Sequence, residues 1–315
     1  MNYLHVGLGK TGTTFLQNEV FPKIAKIKNI KYIEKKNFVK IFPPTTISNR
    51  KLIHSYNFKK LNIQFREKNY FLSAESLCGK LFNPLFWKKS ALINKKIFDK
   101  NTTVIITLSK PEEFISSIYC QAIQVYSIKN EEEFFLNHKN SLSYLKKYKK
   151  NDFFDIELFD YKYLISLYLE NFQKVLIIKK EDLKEVNKLK KIFNIKEDLY
   201  FTKKVYNKSY SEFSVKLTFI FEKFLNFFGT NLKSTDLFAR QINKNNKVGI
   251  FKKILNRLSV ELRWRYFVQN RLDKFFKFKK YKIKSQKIIL QAKRNNDFYE
   301  KLESGYISIE KINNL

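Results

Sequence analysis

The residues best suited to chemistry stand close to the start of the chain. Three glycines, one lysine and three threonines occur within positions 7–14: Gly7, Gly9, Lys10, Thr11, Gly12, Thr13 and Thr14. An apolar run precedes them and an amphipathic pattern follows from Phe15, which indicates a strand, a tight turn and the start of a helix. Glycines let the backbone approach a ligand closely, and the first turn of a helix favours a negative group. With an ammonium group and several hydroxyls as further donors, the turn predicts a phosphate-binding site.

The Walker A loop is a first interpretation of this turn. The spacing from Gly7 to Gly12 fits that loop, but Thr13-Thr14 stands where Lys-Ser/Thr is needed. The lysine precedes the last glycine, and no apolar run ends in an aspartate suited to a metal ion. The sequence therefore gives the Walker A interpretation little support.

A dinucleotide-binding turn is a second interpretation, and its Gly-x-Gly-x-x-Gly spacing is matched literally. Glu34, 22 residues past Gly12, stands near the position expected for a ribose-binding acid. Against this, Lys10 crowds a turn that usually brings bare backbone to a pyrophosphate, and residues 31–36 make a poor second strand. A NAD-binding protein stays open as an alternative.

A third interpretation is a family resemblance. Residues 9–17, Gly-Lys-Thr-Gly-Thr-Thr-Phe-Leu-Gln, resemble the phosphosulfate-binding loop of sulfotransferases that use 3′-phosphoadenosine-5′-phosphosulfate (PAPS). That loop reads Lys-Ser/Thr-Gly-Thr-Thr before a helix. The resemblance implies a P-loop-like α/β fold, and transfer of a sulfuryl group from PAPS to a hydroxyl or amine without a metal ion. It also implies that PAPS is bound by Gly9, Lys10, Thr11, Gly12, Thr13 and Thr14, with Lys10 stabilising the leaving group.

A second motif of that family follows a later strand. The apolar run Thr103–Leu108 is the clearest buried strand of the sequence, and Ser109-Lys110-Pro111 follows it. The family has an arginine at the end of this strand and a serine eight residues beyond, and together they bind the 3′-phosphate. Ser117 matches the serine, but Ser109 stands in place of the arginine. Lys110 can restore the charge, although without the two-pronged hydrogen bonding of arginine.

A third motif supplies a candidate base. Residues 71–76, Phe-Leu-Ser-Ala-Glu-Ser, resemble the strand end at which bacterial members of the family carry a catalytic carboxylate. The resemblance implies that Glu75 accepts the proton of the acceptor group. A helix-capping pair of serine and glutamate is the alternative interpretation. Two further segments resemble parts of these bacterial proteins, Val205–Ser209 and Lys293–Asn296, and the second places Arg294 among the candidate cosubstrate ligands.

Composition sets limits on the class of protein. The chain has 315 residues, of which 44% are hydrophobic and 17% aromatic, and this composition is typical of a folded protein. Its formal net charge of +33 is extreme. Cys78 and Cys120 are the only cysteines, and the three histidines show no metal-ligand spacing. No apolar run reaches the length of a membrane span, and a strand starting at residue 3 leaves no room for a signal peptide. These features predict a cytoplasmic protein without a metal site.

The positive charge has two explanations. Lysine, asparagine, isoleucine and phenylalanine all have AT-rich codons, so a compositional bias explains much of it. The basic, aromatic segment 251–284 is interpreted first as a solvated helical face with its aromatic side chains packed inward, and attraction to a polyanion or to the inner face of a membrane is the alternative. A carbohydrate or lipid-linked acceptor would fit such a surface, whereas no specific nucleic-acid site is expected. A polyanion- or membrane-binding protein without strong catalytic activity is the alternative from another functional class.

The order of predicted elements indicates the fold. Strands at 70–73, 103–108 and 174–178 alternate with helices, which predicts a parallel sheet flanked by helices. The predicted helices are 13–28, 54–68, 87–100, one from Pro111, 161–172 and one from Glu181. We expect a single domain over residues 1–315, with an α/β core at 1–205 and a helical cap at 206–315.

Overall fold

The computed structural model describes residues 1–33, 65, 69–79, 82–125, 130–148, 152–201, 210–227 and 279–315. The chain divides into two compact units. The first unit comprises Met1–Phe114, Phe135–Tyr206 and Gln286–Leu315, and the second comprises Ile115–Phe134 and Asn207–Ser285. The prediction of one domain with a boundary near residue 205 stays a prediction.

The first unit is an α/β structure built on a six-stranded sheet with the order β2-β3-β1-β4-β7-β8. The strands in chain order are β1 (Asn2–His5), β2 (Lys31–Ile33), β3 (Tyr70–Ser73), β4 (Thr103–Leu108), β5 (Phe135–Leu136), β6 (Phe154–Asp155), β7 (Lys174–Lys179) and β8 (Gly305–Ile307). Every pair in the large sheet is parallel except β7 with β8. The short strands β5 and β6 pair separately. The predicted parallel sheet flanked by helices is confirmed apart from the antiparallel edge strand β8, and so are the three strands expected after the first turn.

Helices connect the strands. They are α1 (Thr13–Phe15), a π-helical segment (Leu16–Val20), α2 (Phe21–Ile27), α3 (Trp87–Ile97), α4 (Pro111–Val125), α5 (Glu131–Phe134), α6 (His138–Tyr148), α7 (Tyr161–Leu169), α8 (Val186–Phe193), α9 (Glu212–Phe227), α10 (Gln286–Lys293), α11 (Asn296–Lys301) and α12 (Ile309–Asn313). Short 3₁₀ turns occupy Glu75–Cys78, Pro84–Phe86 and Lys180–Lys184. The predicted helices at 13–28, 87–100 and 161–172 and the helix from Pro111 are confirmed. The predicted helix at 54–68 lies outside the described residues, except for Phe65.

One face of the sheet shows why these strands form a core. Side chains at alternate positions point to the same face, and Tyr3, Phe71, Ile105 and Leu176 come together there. Residues of the first helical run and of α8 cover them. The intervening residues, such as Leu4 and Leu72, are fully buried as well. Burial on both faces is typical of a parallel sheet covered by helices.

The C-terminal part of the first unit differs from the sequence prediction. A helical cap was expected at 206–315, and helices α10, α11 and α12 lie in this range, but Gly305–Ile307 forms the antiparallel edge strand β8 beside β7. Three residues are too few to show a two-residue alternation of polar and apolar side chains, so helical periodicity around them hid the strand. No helix in the described ranges is long and apolar enough to cross a membrane.

The second unit contains most of α4, together with α5 and α9. Within it, the Glu131 carboxylate accepts hydrogen bonds from the Tyr281 hydroxyl and from the backbone N–H groups of Lys284 and Ser285. Burial and the hydrogen bond to this carboxylate raise the pKa of Tyr281 well above its usual value. Glu131 therefore fixes residues 281–285 within this unit.

Candidate functional site

The predicted phosphate-binding turn follows β1 directly. Since β1 lies between β3 and β4, and all three run parallel, the turn sits at the carboxyl edge of the sheet, where such folds bind ligands. Lys10 and Gly12 both adopt left-handed backbone conformations, with φ of 66° and 87°. A lysine rarely adopts this conformation, so the turn holds Lys10 in a strained geometry. Lys10 is half-buried.

Gly9 brings the turn close to the candidate base. A Cβ atom at Gly9 would lie 3.1 Å from Glu75 Oε2 and would collide with the Phe82 ring. Glu75 is held there because it opens the 3₁₀ turn that follows β3. Glu75 and the Lys10 turn, which are 65 positions apart in the sequence, therefore meet at one edge of the sheet.

Gly12 is the position at which the turn enters its helix. Its left-handed φ favours glycine, and a Cβ atom there would collide with Leu183 Cδ1. Leu183 lies in the 3₁₀ turn after β7, where the neighbouring Asp182 carboxylate binds Lys188 Nζ at 2.7 Å and Ser304 Oγ at 2.5 Å. Burial alone would raise the pKa of Asp182, but its hydrogen bonds with Lys188 and Ser304 outweigh this and lower the pKa. Ser304, in the C-terminal segment, thus helps to fix the 3₁₀ turn that contains Leu183, the side chain against which Gly12 packs.

Thr13 and Thr14 form the first helical turn, as expected for an anion site. The N–H groups of Phe15 and Leu16 both donate to the Gly12 carbonyl, at 3.0 and 3.2 Å. The N–H groups of Thr13 and Thr14 precede these bonds, so the helix itself offers them no carbonyl. Thr13 is buried and Thr14 is half-buried.

Thr11 differs from its neighbours because its side chain points into the protein. Its hydroxyl donates to the Leu8 carbonyl and lies 2.6 Å from Thr107 Oγ1. Gly7 makes this arrangement possible, since a Cβ atom at Gly7 would collide with both Thr107 Oγ1 and the His5 ring. Any contact of Thr11 with an anion would therefore come from its backbone.

The turn after β4 holds the candidate 3′-phosphate ligands of the first unit. Ser109 is buried, and its carbonyl accepts a hydrogen bond of 2.9 Å from the Tyr161 hydroxyl. Burial raises the pKa of Tyr161 well above its usual value, so this hydroxyl keeps its proton. Within the described residues, Ser109 Oγ makes no hydrogen bond. Lys110 is exposed, and its carbonyl accepts the N–H of Phe114 at 2.9 Å.

The other predicted ligands lie elsewhere in the chain. Ser117 lies on α4 in the second unit, and its side chain is half-buried. Arg294 is exposed at the end of α10 in the first unit. Its neighbour Asn295 is buried and accepts the N–H of Tyr161 at 2.7 Å while donating to the Phe159 carbonyl at 2.8 Å. Asn295 therefore fixes the start of α7, whose first residue holds Ser109.

Some predicted features fall outside the structural description. Glu34 and residues 205–209 lie outside the described residues, and so does most of the basic segment, residues 251–278. Over the ranges that the structure describes, no group of three or more His, Cys, Asp or Glu side chains is arranged to hold a metal ion.

Three residues near the turn were missed from the sequence: His5, Phe82 and Leu183. His5 carried a signal, because it is a polar residue inside an otherwise apolar strand. Phe82 and Leu183 carried none, since an apolar residue in a loop has no spacing that indicates which glycine it will touch. Their positions depend on the tertiary structure.

Comparisons with known proteins assign no family to this chain. No protein-family model matches the chain, and no curated protein matches it either.

Proposed function

We propose that this protein is a sulfotransferase that moves a sulfuryl group from PAPS to a hydroxyl or amine acceptor, with a carbohydrate or lipid-linked sugar as the acceptor class. The observation that carries the proposal is the approach of Glu75 Oε2 to Gly9, next to Lys10. A carboxylate able to accept a proton thereby lies beside a turn suited to a phosphate. These are the two groups that the family resemblance requires at one site.

The reaction assigns a role to each of these residues. The acceptor oxygen or nitrogen forms a bond to sulfur while the bond between sulfur and the bridging phosphate oxygen breaks. The acceptor proton passes to the Glu75 carboxylate, and the electron pair of the broken bond goes to the leaving 5′-phosphate. Lys10 stabilises the charge that grows on that oxygen, and the backbone of Gly12, Thr13 and Thr14 holds the phosphate.

The second phosphate of PAPS is assigned to the turn after β4. In this proposal Lys110 supplies the positive charge and Ser109 supplies a hydroxyl that is not used within the described structure. Within the first unit, Arg294 completes the proposed set. A lysine gives one charged contact where the family arginine gives two parallel hydrogen bonds, so the site should bind the 3′-phosphate less tightly than an arginine site.

The strand order supports a P-loop-like relationship over the dinucleotide alternative. The usual dinucleotide-binding half places the second strand beside the first, in the order 3-2-1-4-5-6. Here β1 lies between β3 and β4, and β2 is at the edge. The net charge of +33 favours anionic partners in either case, and so it does not distinguish the two classes.

Calorimetric titration with adenosine 3′,5′-bisphosphate tests the class directly. We expect this ligand to bind, whereas NAD and ATP at the same concentrations bind far more weakly. Tight binding of NAD without the bisphosphate would replace the proposal by the dinucleotide alternative. Binding of heparin or anionic vesicles alone would favour the polyanion-binding alternative.

Substitution of the two catalytic candidates tests the mechanism. Lys10→Ala and Glu75→Gln should each lower the rate of transfer by at least about a hundredfold, since general-base and charge-stabilising groups contribute roughly this much. Lys26→Ala and Glu300→Gln change the same residue types at exposed positions and should leave the rate unchanged. Turnover of a model acceptor with PAPS is the measurement, and near-normal turnover in Lys10→Ala would rule the mechanism out.

A further inference from the structure

A chain of polar side chains, buried except for the half-buried Gln17, runs beneath the candidate phosphate turn. Its members, in order, are Thr11, Thr107, His5, Ser73 and Gln17. Thr11 Oγ1 lies 2.6 Å from Thr107 Oγ1, which lies 3.3 Å from His5 Nε2. His5 Nδ1 lies 2.6 Å from Ser73 Oγ, and Gln17 Nε2 donates to the same oxygen at 3.0 Å. The proposed reaction gives these contacts no role.

One carbonyl group fixes the direction of the hydrogen bonds from Thr11 to His5. The Leu8 carbonyl can only accept, so it takes the single hydroxyl hydrogen of Thr11. Thr107 must then donate to Thr11, which uses the only hydroxyl hydrogen of Thr107. The contact with His5 is therefore made by a hydrogen on Nε2.

The other half of the chain follows from the state of His5. His5 is completely buried, and burial disfavours a charged imidazolium. In the neutral ring, Nδ1 accepts when Nε2 carries the hydrogen, so Ser73 donates to Nδ1 and Gln17 donates to Ser73.

The sheet register explains why these residues meet. His5 and Ser73 are paired residues of β1 and β3, and His5 is paired with Ile105 of β4. Thr107 lies two positions beyond Ile105, so its side chain is on the same face. The His5 and Phe21 rings form a T-shaped contact with 4.9 Å between their centroids, which holds the imidazole from the side of the helix.

We infer that His5 is a positioning residue of the phosphate turn, acting as a neutral imidazole with its hydrogen on Nε2. Through Thr107 it orients the Thr11 hydroxyl, which ties the turn back to the Leu8 carbonyl and fixes the backbone on both sides of Lys10. This inference rests on the proposed anion-binding role of the turn. It adds a residue that contacts no ligand and still determines the shape of the site.

A pair of amide substitutions tests the inference. The side-chain nitrogen of His5→Gln can reach the place of Nε2 and donate to Thr107, whereas the shorter His5→Asn reaches only the place of Nδ1 beside Ser73. Both variants bury one amide, so they are matched in polarity. We expect His5→Gln to bind adenosine 3′,5′-bisphosphate within roughly threefold of the native protein, and His5→Asn to bind about tenfold more weakly, the value of one hydrogen bond. Equal losses in the two variants would overturn the inference.

Nitrogen NMR of the imidazole rings supplies a measurement that does not depend on ligand binding. The chain has three histidines, so the His5 signals can be assigned by comparison with His5→Gln. We expect a protonated Nε2 and an unprotonated Nδ1, and Thr107→Val should shift the Nε2 signal. A hydrogen on Nδ1, in either the neutral or the charged ring, would contradict the inference.

The outcome stays decisive if the native protein binds no bisphosphate. That result alone would end the proposed function. The positioning role would then be judged on the backbone amide signals of residues 8–12, which should move in His5→Asn and keep their native positions in His5→Gln. Native positions of these amide signals in both variants would show that His5 does not shape the turn. Equal shifts in both variants would show that the hydrogen on Nε2 is not what positions it.

Discussion

The turns that follow β1 and β4 leave neighbouring strands of the sheet, yet they hold their polar groups in different ways. In the first turn, the Thr11 hydroxyl points inward and is bonded at both of its polar contacts. In the second turn, the structure fixes the Ser109 carbonyl through Tyr161, while the Ser109 hydroxyl makes no hydrogen bond within the described residues. Both turns are positioned by buried groups, but only the second leaves a buried hydroxyl unused.

The first turn is therefore fixed in shape by its own side chains, whereas the second turn keeps a polar group that a ligand can contact. A turn whose side chains are satisfied internally can offer its backbone to a ligand without losing its conformation. A buried hydroxyl without a hydrogen bond costs stability, and a ligand oxygen would relieve that cost. We therefore expect substitutions in the first turn to lower both the stability of the fold and the affinity for the ligand. Substitution of Ser109 should lower the affinity without lowering the stability.

The largest effect is expected for Gly12→Ala. The new methyl group would collide with Leu183 and would occupy a left-handed backbone position, so we expect a loss of about 2–3 kcal/mol in the free energy of unfolding. Bisphosphate affinity should fall with it. Chemical denaturation and calorimetry are the measurements.

Gly305→Ala is the matched control for this substitution. Gly305 also has a positive φ, of 149°, but a Cβ atom there would meet nothing within 4 Å. The loss in the free energy of unfolding of Gly305→Ala therefore reports backbone strain without a collision. If both substitutions cost the same, the packing of Leu183 against Gly12 contributes nothing to the stability of the turn.

An intermediate effect is expected for Tyr161→Phe. This substitution removes the buried hydrogen bond to the Ser109 carbonyl and should cost about 1–2 kcal/mol in the free energy of unfolding. Since the raised pKa keeps the Tyr161 hydroxyl protonated, the cost should not change between neutral and mildly alkaline solution. Urea denaturation measures it, with Tyr163→Phe as a control at a tyrosine that is 40% exposed. An equal cost in the control would show that the bond does not hold the second turn.

The smallest effect on stability is expected for Ser109→Ala. The buried hydroxyl makes no hydrogen bond within the described residues, so its removal should not lower the free energy of unfolding and should raise it by up to about 1 kcal/mol. Bisphosphate affinity should nevertheless fall severalfold, because the proposed ligand is the partner of that hydroxyl. Unchanged affinity in calorimetry would remove Ser109 from the site and would weaken the contrast between the two turns.

Much of the fold could be predicted from the sequence because the signals are local. The run Thr103–Leu108 is apolar and β-branched, and it forms β4 with the predicted bounds. The first helical run was expected over residues 13–28. Pro22 lies within it, in the first turn of α2, where proline is tolerated.

The site could be predicted only in part, because its geometry depends on register and on distant contacts. The glycine spacing indicated a ligand turn, but it could not show that Gly7 faces His5 and Thr107 while Gly9 faces Glu75. The three histidines show no metal-ligand spacing along the chain. The relevant relation is instead across the sheet, where His5 pairs with Ser73.

The packing of Gly12 against Leu183 also bears on how the chain reaches its final structure. Leu183 is held by a segment in which Asp182 binds Ser304, a residue 122 positions later. Contacts between such distant parts of a chain are slow to form, because the long intervening loop must close first. A nascent chain that has not yet exposed Ser304 cannot make the tie beside Leu183. The turn at residues 7–14 thus depends, for its finished packing, on residues that are synthesised much later than the turn itself.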